Sequence, residues 1–131
     1  MEQLASSCGV RILFKKGIPD HEMIDLLNRA SCLIYTSHLE PFGLALLEAG
    51  ACATPVVAIA EGGIRETLRD GVNGFLIPGN DSSAIGAAVL RLLQNPALVT
   101  QMGNQARQYV LENWNFEQAM DCLEKQLHEI A

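Results

Sequence analysis

The run Pro55-Val56-Val57-Ala58-Ile59-Ala60 contains no polar side chain. A half-buried strand alternates apolar and polar residues, one face toward the core and one toward water. A strand without that alternation is covered on both faces, as in a parallel sheet with helices on each side. The flanking sequence keeps the matching rhythm. Val10-Arg11-Ile12-Leu13-Phe14 and Leu33-Ile34-Tyr35 read as earlier short strands, and Phe75-Leu76-Ile77 as a later one. Between the first two, Met23, Ile24, Leu27 and Ala30 recur at helical spacing, with Asp20 as the expected N-cap. Residues 43–52 read as a second helix, 64–69 as a helical turn, and Asp70-Gly71-Val72-Asn73-Gly74 as a tight turn. The expected fold is α/β, a Rossmann-like parallel sheet of about four strands flanked by helices.

Beyond Pro78 the pattern is helical throughout. Asp81 is placed to cap a helix carrying Ile85, Ala88, Val89, Leu92 and Leu93, and Asn95-Pro96 ends it. The next helix carries Leu98, Met102, Ala106 and Val110. The last carries Phe116, Met120, Leu123, Leu127 and Ile130 as one apolar stripe on an acidic helix. A length of 131 residues suits a single domain, here 1–78 as the α/β part and 79–131 as the helical part.

Charge and cysteine usage narrow the function. Nine Lys and Arg stand against fifteen Asp and Glu, and −4 of the net −6 lies in residues 112–131. A chain this acidic is poorly suited to neutralising nucleic-acid phosphates, so no nucleic-acid partner is expected. The most apolar stretch, Leu44 to Ala60, is interrupted by Glu48, Thr54 and Pro55 and does not read as a membrane span. Cys8, Cys32, Cys52 and Cys122 lack zinc-site spacing, and His21, His38 and His128 are scattered. Neither a metal site nor a disulfide framework is expected; the thiols read as reduced, mostly buried cysteines of a cytoplasmic protein.

The densest chemistry lies in Ser37-His38-Leu39-Glu40-Pro41-Phe42-Gly43-Leu44-Ala45-Leu46-Leu47-Glu48-Ala49. A strand ends in a polar loop, and Gly43 turns the backbone into a helix. Ligands of open α/β sheets bind outside the carboxyl ends of the strands, where helix starts present free N–H groups. The amides of Phe42, Gly43 and Leu44 are the candidates. Glu40 precedes the helix and Glu48 lies inside it, about 7–8 Å along the axis from the helix start. Two acceptors so spaced suit the hydroxyls of an extended, polyhydroxylated ligand. Each also has an ordinary reading, Glu40 as a carboxylate favoured by the helix dipole and Glu48 as a solvated helix residue. Glu48 is the odder, because Leu44, Leu47, Ala49 and Cys52 surround it in sequence and a carboxylate in apolar company needs a partner.

Glu40-Pro41-Phe42-Gly43 followed by Glu48 resembles the E-x7-E motif of retaining glycosyltransferases with the GT-B fold, family 4 in particular. Thr54-Pro55-Val56-Val57-Ala58, Gly62-Gly63-Ile64-Arg65-Glu66 and Asp70-Gly71-Val72-Asn73-Gly74-Phe75-Leu76 resemble three further motifs of that family, in the same order. Arg107 and Trp114-Asn115-Phe116 also fall where the family has similar residues. The similarity runs from about Val10 to about Leu127. It implies that Glu40, with Phe42, Gly43 and Leu44, binds the donor sugar, and that Glu40 is the catalytic candidate. It implies that Glu48 holds the ribose of the nucleotide. Gly17 and Ile18 are the candidates at the edge of the base, although Gly17 equally suits a plain strand-end turn. Gly62 and Gly63 read as backbone geometry, and Arg65, Glu66 and Arg69 as a solvated face.

The resemblance implies a nucleotide-diphosphate sugar as donor substrate, with no cofactor, and sugar transfer to a hydroxyl acceptor with retained anomeric configuration. It covers only the latter part of the donor-binding domain. The acceptor domain, and the Arg and Lys that relatives place on the donor diphosphate, have no counterpart in these residues; Lys15 and Lys16 belong to a different motif. The isolated chain is therefore expected to be inactive in transfer. Its expected partners are a nucleotide-sugar and either a separately encoded acceptor-binding domain or a second copy. The alternative expectation is a non-catalytic interaction module that recruits a partner through its last amphipathic helix. Two departures bear on the helix carrying Glu48. Ala53 stands where relatives usually have Gly, and Gly50 stands inside the helix, so that helix is expected to be loosely anchored.

Overall fold

The computed structural model describes residues 2–130, apart from the side chains of Cys122 and Ile130. The elements run α1 (Glu2–Ser7), α2 (Asp20–Arg29), β1 (Leu33–Tyr35), α3 (Leu44–Ala51), β2 (Val56–Ile59), α4 (Ile64–Thr67) and β3 (Gly74–Ile77). Three helices follow, α5 (Ser82–Leu93), α6 (Pro96–Asn113) and α7 (Phe116–Ile130). The strands form one parallel sheet in the order β1-β2-β3, with Val56 opposite Leu33 on one side and Gly74 on the other. All four residues of the middle strand are buried, as its unbroken apolar run requires. Val56 and Ala58 face a core with Leu27, Leu46, Ala49 and Ile64 of α2, α3 and α4. Val57 faces the opposite side, with Phe75, Ala88, Leu92 and Met102 from β3, α5 and α6. This is the α/β architecture with a helical C-terminal segment read from the sequence.

The sheet has three strands, because Val10–Phe14 does not join it. Leu13 and Phe14 are 72% and 68% exposed. Strand-forming residues need a neighbour's backbone groups to make a strand, and among the described residues β1 pairs only with β2. Asp20 is likewise not the cap of α2. Pro19 holds that position at φ −72°, ψ 158°, and Asp20 is the first helical residue, where its charge suits the helix dipole. Asp81 caps α5 as the sequence predicts, and Asn95, read only as the end of α5, also caps α6. Asp81 accepts from the Ser83 and Ala84 amides at 2.9 and 3.1 Å, and Asn95 from the Leu98 amide at 3.1 Å.

The junction of α3 with α6 reverses one expectation. Gly50 is buried, and a Cβ added there would lie 2.9 Å from Val110 Cγ2. The missing side chain lets α6 approach, so a residue that weakens an isolated helix anchors this one. Ala53 does adopt the left-handed conformation, at φ 55°, which costs a non-glycine residue about 1 kcal/mol. Its carbonyl is seated against Gly103 of α6. The cysteines are less buried than expected, with Cys8 exposed and Cys32 and Cys52 half-buried; Cys122 lies outside the described side chains. No described helix is long and apolar enough to cross a membrane.

Candidate functional site

The loop after β1 is tied down by its own carboxylate. Tyr35, the last residue of β1, donates its hydroxyl to Glu40 Oε2 at 2.6 Å. Glu40 Oε1 accepts from the Gly43 amide at 3.0 Å and, more weakly, from the Phe42 amide at 3.5 Å. Gly43 sits at φ 88°, buried beneath the start of α3, a conformation that favours glycine. The Phe42 ring packs edge-on against Trp114 at the end of α6, with centroids 5.0 Å apart. On the other side, the Gly63 amide donates to the Glu40 carbonyl at 3.1 Å, and His38 Nδ1 lies 3.2 Å from Glu61 Oε2. Gly62 and Gly63 let the two loops touch, since a Cβ on either would come within 2.3 Å of a carbonyl oxygen of Glu40 or Pro41.

Three donors on one carboxylate favour its charged form. The Tyr35 hydroxyl contributes most, then the Gly43 and Phe42 amides, and together they hold Glu40 below the usual carboxylate range against an opposing push from partial burial. The same bond raises the Tyr35 hydroxyl. Glu40 is thus an ionised acceptor at neutral pH, and its stabilising contacts are lost only as pH falls through its lowered pKa. In Tyr35→Phe the Glu40 pKa should rise toward the ordinary value, as read from a carbon-13 titration of the glutamate carboxyls. An unaltered titration would show that the tyrosine does not stabilise the charge.

At the other end of α3 lies a groove of about 540 Å³. Ile18, Asp20, Met23, Ile24, Leu27 and Asn28 form one wall, and Glu48, Ala51, Cys52 and Arg107 the other. Ile18 and Glu48, two of the three residues expected to contact a nucleotide, therefore share one cavity. Gly17 adjoins Ile18 in a left-handed conformation (φ 63°), is exposed, and does not line the groove. Glu48 is exposed and so needs no protein partner. Glu40, Phe42, Gly43 and Leu44 do not line this groove; they sit at the opposite end of α3.

Sequence reasoning missed the α2 wall. Met23 and Ile24 read only as part of the apolar face of a helix, yet they are 43% and 50% exposed and line the groove. Arg107 was noted only as a resemblance. Here it donates to the Ala51 carbonyl at the end of α3. Arg65 and Arg69, read as a solvated face, are exposed but not idle: Arg65 donates to the Ala60 carbonyl at 2.7 Å, and Arg69 stacks on Tyr109.

The structure thus holds a parallel sheet with a loop carboxylate at one end of a short helix and a groove at the other; Glu40 and Glu48, expected to share one ligand, do not line a common cavity. The sequence profile of the family "Glycosyl transferases group 1" matches residues 1–109, and the chain belongs to that family. It is 42% identical over 96 residues to the D-inositol 3-phosphate glycosyltransferase of Frankia alni, covering 72% of this chain and 24% of that protein. Among solved structures, sucrose-phosphate synthase (tll1590) from Thermosynechococcus elongatus superposes with a TM-score of 0.78 at 33% identity, covering 99% of this chain and 34% of that one. TarM from S. aureus, crystallised with UDP among its ligands, superposes with a TM-score of 0.78 at 27% identity, covering 96% and 25%. The chain thus spans between about a quarter and a third of these relatives.

Proposed function

We propose that these residues are the nucleotide-sugar-binding part of a retaining glycosyltransferase. Glu48 and Ile18, with the neighbouring Gly17, take the nucleoside, Glu48 by its ribose hydroxyls. Glu40, with the Phe42, Gly43 and Leu44 backbone beside it, takes the donor sugar; the Gly43 and Phe42 amides already donate to the Glu40 carboxylate and so act by holding it in place, and Glu40 is the residue nearest the chemistry. The observation that carries the reading is the single groove lined by both Ile18 and Glu48, one short helix away from the Glu40 loop. The UDP bound by TarM supports a nucleotide donor. Transfer itself needs an acceptor-binding domain and cations on the donor diphosphate. Lys15 is not free for that task, being paired with Glu22, so these residues alone bind donor without transferring it.

Calorimetric titration with nucleoside diphosphates and nucleotide-sugars tests this. One member of the panel should bind, and Glu48→Ala should weaken it about tenfold or more, the loss expected for a charged hydrogen-bond acceptor. A second reading, recruitment of a partner or of a second copy through α7, is favoured by one observation. Its stripe of Phe116, Met120, Leu123 and Leu127 is exposed along its length. Silence across the whole panel would favour that reading over the first.

A further inference from the structure

We propose that Arg107 is a positioning residue for Glu48, acting through the end of α3; the inference rests on Glu48 holding the ribose. Helix α3 has only eight residues, and the carbonyls of its last turn have no acceptor role within the helix to fill. The Ala53 and Thr54 amides take the Gly50 and Ala49 carbonyls at 2.9 Å each, and two further groups complete the turn. The Cys52 amide donates to the Glu48 and Ala49 carbonyls at 3.2 and 3.1 Å. The Arg107 guanidinium, arriving from α6, donates to the Ala51 carbonyl. Ala51 lies three residues after Glu48, so the two side chains neighbour one another on the helix surface. Glu48, Ala51 and Arg107 line the same groove.

The arrangement is a clamp. Gly50 lets α6 approach α3 closely, and Gly103 seats the Ala53 carbonyl just beyond the helix end. Among the described residues, Arg107 adds the one side-chain hydrogen bond across this junction, on the groove side. Among the described residues it pairs with no carboxylate, Glu48 included, so its bonded role is to the backbone of α3. Without it, the last turn of α3 keeps its packing on α6 but loses its side-chain hydrogen bond to it, and Glu48 is held less firmly across the groove from Ile18.

The test compares two probes on the full chain: whichever of UDP, GDP and ADP binds most tightly, and its 2′,3′-dideoxy counterpart. A ribose-positioning role makes Arg107→Met lose about tenfold in affinity for the ribonucleotide and little for the dideoxy probe. Glu48→Gln should show the same selectivity, and adding Arg107→Met to it should cost little more. Arg107→Lys, which keeps a donor and the charge, should recover most of the affinity and guards against a variant that fails to fold. Equal loss for both probes would mean general disruption or direct contact with the base or phosphates, and would overturn the proposal. So would a ribonucleotide affinity unchanged in Arg107→Met while Glu48→Gln loses it; the ribose role of Glu48 would then stand without Arg107. If Glu48→Gln is itself silent, or no diphosphate binds, the ribose reading falls and takes this inference with it.

Discussion

Replacing Gly63 with alanine should remove about 3 kcal/mol of folding stability and detach the loop that carries Glu40. The backbone of Gly63 is ordinary, at φ −68° and ψ −10°, so alanine meets no conformational barrier there. The obstacle is steric and lies in the main chain. An added Cβ would sit 2.2 Å from the Pro41 carbonyl oxygen and 2.7 Å from the Phe42 Cα. No rotamer change relieves a backbone clash, so the β2–α4 turn must back away. That movement breaks the Gly63 amide bond to the Glu40 carbonyl. Denaturant unfolding followed by circular dichroism measures the loss, and the amide resonances of Glu40, Phe42 and Gly43 report the loop. A loss below about 1 kcal/mol with unmoved resonances would mean that the two loops are not in the tight contact described.

Gly103→Ala should have an equal or larger effect, about 3–5 kcal/mol, a large part of the margin by which a domain of this size is stable. The added Cβ would lie 2.1 Å from the Ala53 carbonyl oxygen and 2.9 Å from its carbonyl carbon. Ala53 has no slack to move, because it is already held at a positive φ. Gly86 supplies the control. It too is helical, but a Cβ there would meet nothing within 4 Å, so Gly86→Ala should stabilise by up to about 1 kcal/mol. Opposite signs for one substitution on two helices, measured by the same denaturant titration, is the expected result. Equal effects would mean that packing at Gly103 does not decide its outcome.

The sequence announced those parts of the fold whose cause is local. The apolar run of β2, the cap Asp81, the helix stop at Asn95-Pro96 and the turn at Asp70–Gly74 each carry their signal within a few residues. In that turn the Asp70 side chain accepts from the Leu76 amide at 2.9 Å and Asn73 from the Arg69 amide at 2.7 Å. Features set by distant contacts were misread. Val10–Phe14 has strand-forming residues but pairs with neither edge of the sheet. Gly50 carries a propensity penalty that says nothing of Val110, sixty residues later, packing over it. The candidate site divides the same way. Glu40, Glu48 and Ile18 were reachable through motif and spacing. The α2 wall was not, because the periodicity that marks Met23 and Ile24 as one face cannot say whether that face meets core or cavity.

The Glu40 carboxylate changes what the start of α3 can recognise. A bare helix beginning offers protons and so attracts species rich in lone pairs, phosphate above all. Here the proton of the Gly43 cap, and more weakly that of Phe42 before it, are already taken by a resident anion that sits at the helix entrance. A visitor that brings hydrogens of its own, as a neutral polyol does, is therefore the one expected to gain most at this end of the helix.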